Sequence, residues 1–389
     1  MKGWGSKVVH VLKTEGAWSL MNRTRRYARY RVKRALMDPS DTIREWGELR
    51  GRYAGRRAFL LGNGPSLNQT ELYLLENEFT MCFNRFDLML ERVNWLPTFY
   101  TTIDDRVLLD TADIANEIAR VADYAFFPDI HPYNVDFRPF IEKRDNVYWL
   151  FLDLPRFSDN LPYCGINKTV ANVGLQILAY LGFTEIYLLG MDMSYKVPET
   201  AKITGARDIE ATEDDDENHF DPRYFGKGRK YHVPMLDEAF AKFREARRFL
   251  GERGVQVLNA TVGGELEEFE RVALSDVLEV SAEERRRRFL ENLRGRLRSP
   301  GADVEGLIEG APLHDAPDGS ATGVRAFRTE ADRVQDFLRP YIYDFVPFGP
   351  YEGFYFFVSR SLLMDDVLTP QEGRMRQRKE AGHGQYGGT

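Results

Sequence analysis

The chain has 389 residues, is 43% hydrophobic and 13% aromatic, and carries a formal net charge of −7. That length and composition describe a soluble globular protein with room for a sizeable core, and the acidic balance argues against nucleic-acid binding over the surface as a whole. Two cysteines, Cys82 and Cys164, make neither a disulfide framework nor a paired metal-ligand spacing. No apolar run approaches the roughly 20 residues that span a bilayer and no signal-peptide pattern opens the chain, so the expected location is the cytoplasm.

Residues 1–54 form a basic arm in which Trp4, Trp18, Tyr27 and Tyr30 alternate with Arg23, Arg25, Arg26, Arg29, Arg31, Lys33 and Arg34. Such a mixture suits peripheral contact with the inner face of a membrane, an anionic glycan or a partner helix. The plainer alternative is a partly helical arm that packs its tryptophans on the main domain.

From residue 55 to 275, short apolar runs alternate with helical periodicity. Strands are expected at Ala58 to Leu61, Thr80 to Phe83, Thr98 to Ile103, Tyr124 to Phe127, Val147 to Leu152, Ile186 to Leu189 and Val255 to Leu258. Helices are expected at Val107 to Val121, Val170 to Leu181 and Met235 to Leu250. The alternation predicts an α/β, Rossmann-like fold, a largely parallel doubly wound sheet whose ligands lie beyond the strands' carboxyl ends. Residues 276–373 read as a small helical and aromatic appendage: a solvated charged helix from Glu283, a linker over Ser299 to Thr322 and an aromatic unit over Tyr341 to Phe357. Residues 374–389 have the composition of a disordered tail.

The first strand stops at Gly62-Asn63-Gly64-Pro65-Ser66, where glycines permit close approach of a phosphate or sugar and Asn63 and Ser66 supply hydrogen bonds. Later strand ends bring Asn84 and Arg85, then Asp104, and then Asp192 followed by Tyr195. Asn167-Lys168-Thr169 leads into a helix whose N-terminus suits an anion. Each also has a plain structural role open to it: a tight turn at Gly62 to Pro65, a helix cap at Thr169, a cap or turn at Asp192, and a solvated loop acid at Asp104. The run Glu213 to Glu217 offers carboxylates for magnesium, although consecutive acids converge only where the backbone turns sharply, and a solvated mobile loop is the simpler expectation. Asp104 and Asp192 are better placed if the site takes a metal. His219 follows that run, and Arg223, Tyr224, Lys227, Arg229 and Lys230 come next, a cationic loop that could close over phosphates or an anionic sugar or simply form a charged surface.

Taken in order, GNGPSL, FNRF, TVANVGLQILAYLGFTEIYLLGMDMSY, NHFDPRYFGKG and NATVGG resemble the MptE-like family, named for a 6-hydroxymethylpterin diphosphokinase, over roughly residues 55–270. The middle is also similar to bacterial family-42 sialyltransferases. That second resemblance implies that Gly62, Asn63, Gly64, Pro65 and Ser66 hold a CMP-sugar, with Asn84 near the base or ribose and Thr169 beside the donor sugar or phosphate. It makes Tyr195 the group that steadies the departing phosphate and His219 the catalytic base, chemistry an imidazole near neutrality can perform. Arg85 stands where the sialyltransferase motif has glutamine. It either answers an additional phosphate, as a diphosphokinase needs, or pairs with Asp87.

The function expected is therefore transfer of a sugar from a nucleotide donor, with a CMP-linked acidic sugar as the first candidate, to a polysaccharide or glycoconjugate acceptor. No cofactor is required by the pattern, and magnesium is the metal it would admit. The alternatives are an ATP-dependent diphosphokinase acting on a pterin-like alcohol and a non-catalytic nucleotide-sugar binding module.

Overall fold

A computed structural model describes residues 16–365 except 133–134, 155, 166–167, 206, 316, 318–320 and 322. Trp4, Asn167 and the tail at 374–389 lie outside the described residues. At the centre is a nine-stranded sheet in which every neighbouring pair is parallel. Its strands are β1 (Arg57–Leu61), β2 (Thr80–Phe83), β3 (Phe99–Thr101), β4 (Tyr124–Pro128), β5 (Val147–Leu154), β6 (Tyr163–Gly165), β7 (Glu185–Leu189), β11 (Gln256–Asn259) and β12 (Glu270–Arg271), with β8 to β10 set apart below.

The sheet forms because its strands are apolar on both faces, as parallel strands covered by helices must be. Along β1, Ala58 and Leu60 enter one core while Phe59 and Leu61 enter the other. The first core is closed by the helices Ser40–Leu49, Val170–Tyr180 and Leu236–Gly251, and the second by Asp105–Val121. Trp46 is fully buried in the first core and donates its indole N–H to the Trp149 carbonyl (2.8 Å), whereas Trp18 is exposed. The tryptophans of the arm thus divide between packing and solvent.

The strand order is β12-β11-β7-β1-β2-β3-β4-β5-β6. From β1 the chain moves outward one way as far as β6, then returns to place β7 on the other flank of β1. The order therefore reverses between β1 and β7, and a parallel α/β sheet opens its ligand crevice at the carboxyl ends of such a pair.

Two smaller sheets complete the molecule. Strands β8 (Lys202–Ile203), β9 (Asp208–Glu210) and β10 (Lys230–His232) make an antiparallel ribbon beside the crevice. In the appendage, β13 (Ala326–Glu330), β14 (Phe345–Tyr351) and β15 (Phe354–Ser359) pair antiparallel in the order β13-β15-β14. The stretch expected to be a linker contains the helix Val304–Glu309, whose Val304 and Ile308 are buried. The charged helix Ala282–Arg294 also does more than meet solvent: its Phe289 and Leu293 share a core with Tyr73 and Leu74 of the main domain. The apolar residues follow the arginines, so the charge run hid the buried face.

Candidate functional site

The end of β1 is shaped by its contact with the end of β7. A Cβ at Gly62 would collide with the Gly190 carbonyl, and one at Gly64 with the Asp192 carboxylate. Pro65–Gln69 then forms a short 3₁₀ helix. Its Ser66 donates both backbone N–H and hydroxyl to Asp192, at 3.1 and 2.7 Å. The glycines accordingly serve close packing within the protein, and the Ser66 hydrogen bonds expected to serve a ligand already go to Asp192. Burial pushes the Asp192 carboxyl above the usual carboxylate range, and the two Ser66 donors only partly offset it. Asn259-Ala260-Thr261-Val262-Gly263-Gly264 braces the same corner: Met191 N–H donates to the Thr261 hydroxyl (3.1 Å) and Glu265 N–H to the Asp192 carbonyl (2.7 Å).

Asn63 projects from this turn. Its Nδ2 donates to the Tyr224 hydroxyl (3.1 Å) and less closely to the Phe83 carbonyl (3.4 Å), while its buried Oδ1 has no hydrogen-bond partner among the described residues. An acceptor left so costs about 1–3 kcal/mol unless something supplies a donor. Asn84 sits beyond β2 with φ +49°, in the left-handed region that asparagine tolerates. Its Oδ1 accepts from the Thr102 hydroxyl (2.9 Å), its carbonyl accepts from Tyr100 (2.8 Å), and its side chain also reaches Tyr224. Tyr224 is thus fastened to both asparagines.

Above this edge lies the loop carrying His219. Phe220 N–H donates to the Asn63 carbonyl (3.0 Å), and Asn68 Nδ2 donates to the Phe220 carbonyl (2.8 Å). The imidazole lies flat on the Tyr224 ring, centroids 3.8 Å apart and planes within 5°, and its Nδ1 is 2.7 Å from Asp216 Oδ2. Asp216 also accepts the backbone N–H groups of Asn218 (2.9 Å) and Phe225 (3.2 Å). Burial alone would raise the Asp216 carboxyl, but His219 and these donors outweigh it and hold it below the ordinary range. A proton on Nδ1 donates to Asp216 and leaves Nε2 as the acceptor nitrogen of the ring.

The acidic run does not converge. Glu213 pairs with Arg339, Asp214 accepts from Tyr343, Asp215 accepts from Thr200 (2.5 Å) and Asp216 holds His219. The first four side chains of the run are each tied to a separate partner, whereas Glu217 is exposed. A buried network clamps the far end: Arg92 and Arg223 reach Asp221 at 2.6 and 2.9 Å, and Arg223 and Arg360 both reach Glu91 at 2.8 and 2.7 Å. Arg360, in the appendage, thereby touches the network that sets the His219 loop.

Other expected groups take structural positions. Arg85 lies on Asp87 through Nε (3.1 Å) and Nη2 (3.0 Å), the second of its two anticipated roles. Thr169 caps the helix Val170–Tyr180 by accepting from Asn172 N–H (3.2 Å), and Asp104 caps Asp105–Val121 by accepting from Arg106 and Val107. Among the cationic stretch, Arg229 donates to the Asp110 carbonyl. Tyr195 packs into the ribbon of β8 to β10, where burial pushes its hydroxyl up and keeps it protonated, and that buried hydroxyl has no hydrogen-bond partner among the described residues. Its neighbour Lys196 exchanges two hydrogen bonds with Asn218, at 2.7 and 2.8 Å, which joins the Tyr195 segment to the His219 loop. Among the described residues no three His, Cys, Asp or Glu groups gather as a metal site; Asp192 accepts from Ser66 on both oxygens and Asp104 caps its helix through Oδ1, and without further gathered ligands neither fits a magnesium ion.

Asp216 was expected only as one carboxylate of the acidic run and Tyr224 only as a member of the loop after His219; their contacts with His219 and Asn63 were not foreseen. The signal for the first is the Asp-x-x-His spacing inside the acidic run, which sets both side chains on one side of a tight turn. Tyr224 reaches Asn63 across 161 positions and leaves no local signal.

The fold defines a Rossmann-like α/β protein with an Asp–His pair held over the switch-point turn. Residues 34–198 match the family model described as 6-hydroxymethylpterin diphosphokinase MptE-like. The match begins inside the arm and stops before His219. Two solved structures are similar at low identity. The MAf glycosyltransferase from Magnetospirillum magneticum AMB-1 is 15% identical with a TM-score of 0.34, covering 60% of this chain and 38% of that one. The sialyltransferase CstII from Campylobacter jejuni, in complex with the substrate analogue cytidine-5′-monophosphate, is 14% identical with a TM-score of 0.36, covering 57% of this chain and 86% of that one. The chain spans little more than a third of the length of the MAf enzyme. No curated protein matches.

Proposed function

We propose that the protein transfers a sugar from a nucleotide donor, with a CMP-linked acidic sugar as the donor to test first, to the hydroxyl of a glycan or glycoconjugate. The observation that carries this is the Asp216–His219 pair, clipped through Phe220 onto the Asn63 turn at the reversal of strand order. In this scheme Nε2 of His219 takes the proton of the acceptor hydroxyl as its oxygen attacks the anomeric carbon. The bond from that carbon to the phosphate oxygen breaks, and its electron pair leaves with the nucleotide. Asp216 steadies the imidazolium that forms, and Tyr195, kept protonated and tied to the loop through Asn218, donates toward the leaving phosphate. The unpartnered Asn63 Oδ1 accepts from a donor group on the base or ribose.

A diphosphokinase ranks second, favoured by the family match over residues 34–198. It ranks below because Arg85 is occupied by Asp87 and the acids of the crevice are committed to protein donors. A binding module without catalysis ranks third. A thermal-shift panel of CMP, CDP, UDP, GDP, ATP and ATP with magnesium separates them. CMP raising Tm without metal, followed by turnover of a CMP-sugar, supports glycosyl transfer; stabilisation only by ATP with magnesium supports the kinase; stabilisation with no donor turnover supports the module.

A further inference from the structure

The helix Gly16–Ala35 has two faces with different fates. On one, Tyr30 is fully buried and donates to the Leu152 carbonyl (3.3 Å), Arg34 clasps Asp129 and lies over the Phe151 ring at 4.0 Å, and Lys33 reaches Asp136 at 2.8 Å. On the other, Trp18, Met21 and Val32 are 73%, 63% and 61% exposed, and Leu36 just beyond the helix is 82% exposed. At 3.6 residues per turn, Trp18, Met21 and Val32 fall within about 60° of one another, opposite Tyr30. Arg25 lies within that stripe and Arg29 beside it, where long side chains can lay their stems along apolar surface and keep their charge in water.

The charges say what would cover this face. The helix contains seven Lys and Arg and no acid. Residues 1–37 hold ten Lys and Arg against the single acid Glu15, which leaves the remainder of the chain at −16 within a total of −7. A second copy of the helix would bring seven cations against seven, and a nucleic acid would leave the Trp18 stripe in water. An isolated helix is marginal in water, and most of the described side chains from Ala17 to Arg29 are exposed.

We propose that Gly16–Ala35 is an interfacial anchor that lies in the surface of an anionic membrane, with Trp18, Met21, Val32 and Leu36 entering the lipid and Arg25 and Arg29 meeting the head groups. Its docking partners Asp129 and Leu152 stand at the carboxyl ends of β4 and β5, the same end of the sheet as the crevice. The membrane would thus lie toward the edge that carries Asn63 and His219. Anchoring does not depend on which reaction, if any, the crevice performs.

Flotation of the full chain with vesicles of phosphatidylcholine, alone or mixed with phosphatidylglycerol, tests this. Binding is expected with the mixed vesicles only and should weaken with added salt. The triple change Trp18→Ser, Met21→Ser and Val32→Ser should lower it by at least about tenfold, with Tm unchanged because these side chains touch solvent. The double change Arg25→Ser and Arg29→Ser should do the same. Failure of the full chain to float with either vesicle, or binding by both variants equal to that of the unaltered chain, would overturn the proposal. So would light scattering that shows a dimer dissolved by the Trp18, Met21 and Val32 changes, since the stripe would then be a contact between copies.

Discussion

The Gly62–Ser66 turn and the Asp216–Phe225 loop meet at the same edge of the sheet and differ in how much chemistry they leave open. The turn has the appearance of a ligand cradle, yet its glycines are needed for contact with β7 and its Ser66 donors are spent on Asp192. The loop has the appearance of a charged surface stretch, yet it is clamped by Arg92, Arg223 and Asp221 and presents an imidazole whose Nε2 meets no described donor or acceptor. A glycine-rich strand end can therefore be a packing device, and the reactive group can come from a loop folded back over it. Asn63 alone belongs to both, holding Tyr224 on one side and leaving Oδ1 open on the other.

If the two regions divide in this way, changes in them should separate activity from stability. The largest effect is expected from His219→Ala: a fall in transfer rate of about 10²- to 10⁴-fold with little change in Tm, read by turnover of the donor found in the nucleotide panel. Asp221→Asn follows. It leaves Arg92 buried without its charge partner and should cost about 3 kcal/mol in urea unfolding at neutral pH. Burial pushes the Asp221 carboxyl up, but Arg223 and Arg92 prevail and hold it at about 2. Because the folded pKa is depressed below the unfolded value of about 3.9, this stabilisation is fully present above that pH and is lost as pH falls toward 2. The variant should lose that part of the acid slope.

Smaller effects test the closed turn. Gly64→Ala forces Asp192 aside and should destabilise by about 2 kcal/mol, read as a lowered Tm. Ser66→Ala removes one of the two donors to Asp192 and should cost about 1 kcal/mol. Either variant losing transfer activity while keeping its Tm would break the division between the two regions.

The parallel sheet was legible because its strands are continuous apolar runs with both faces buried, a pattern that survives without any knowledge of partners. Only β3 came out shorter than expected, since Thr98 is drawn off to bond the Thr80 backbone and Thr102 to bond Asn84. Strands of two or three residues, β6, β8 to β10 and β12, are too short to show a period. In the appendage, β15 sends Phe354, Phe356 and Val358 to one core and Tyr355 and Phe357 to another, so its aromatic density concealed a strand with two apolar faces. At the site, sequence order was enough to bring Asn63, Asn84, Asp192 and His219 to one edge. It could not separate open groups from satisfied ones, because that depends on contacts such as Ser66 with Asp192, 126 positions apart.

The most direct test measures CMP binding and CMP-sugar turnover side by side on the unaltered protein and on His219→Ala. The account predicts that CMP raises Tm equally in both while turnover collapses in the variant. Full turnover by His219→Ala would contradict it, as would a protein that CMP leaves unshifted and ATP with magnesium stabilises.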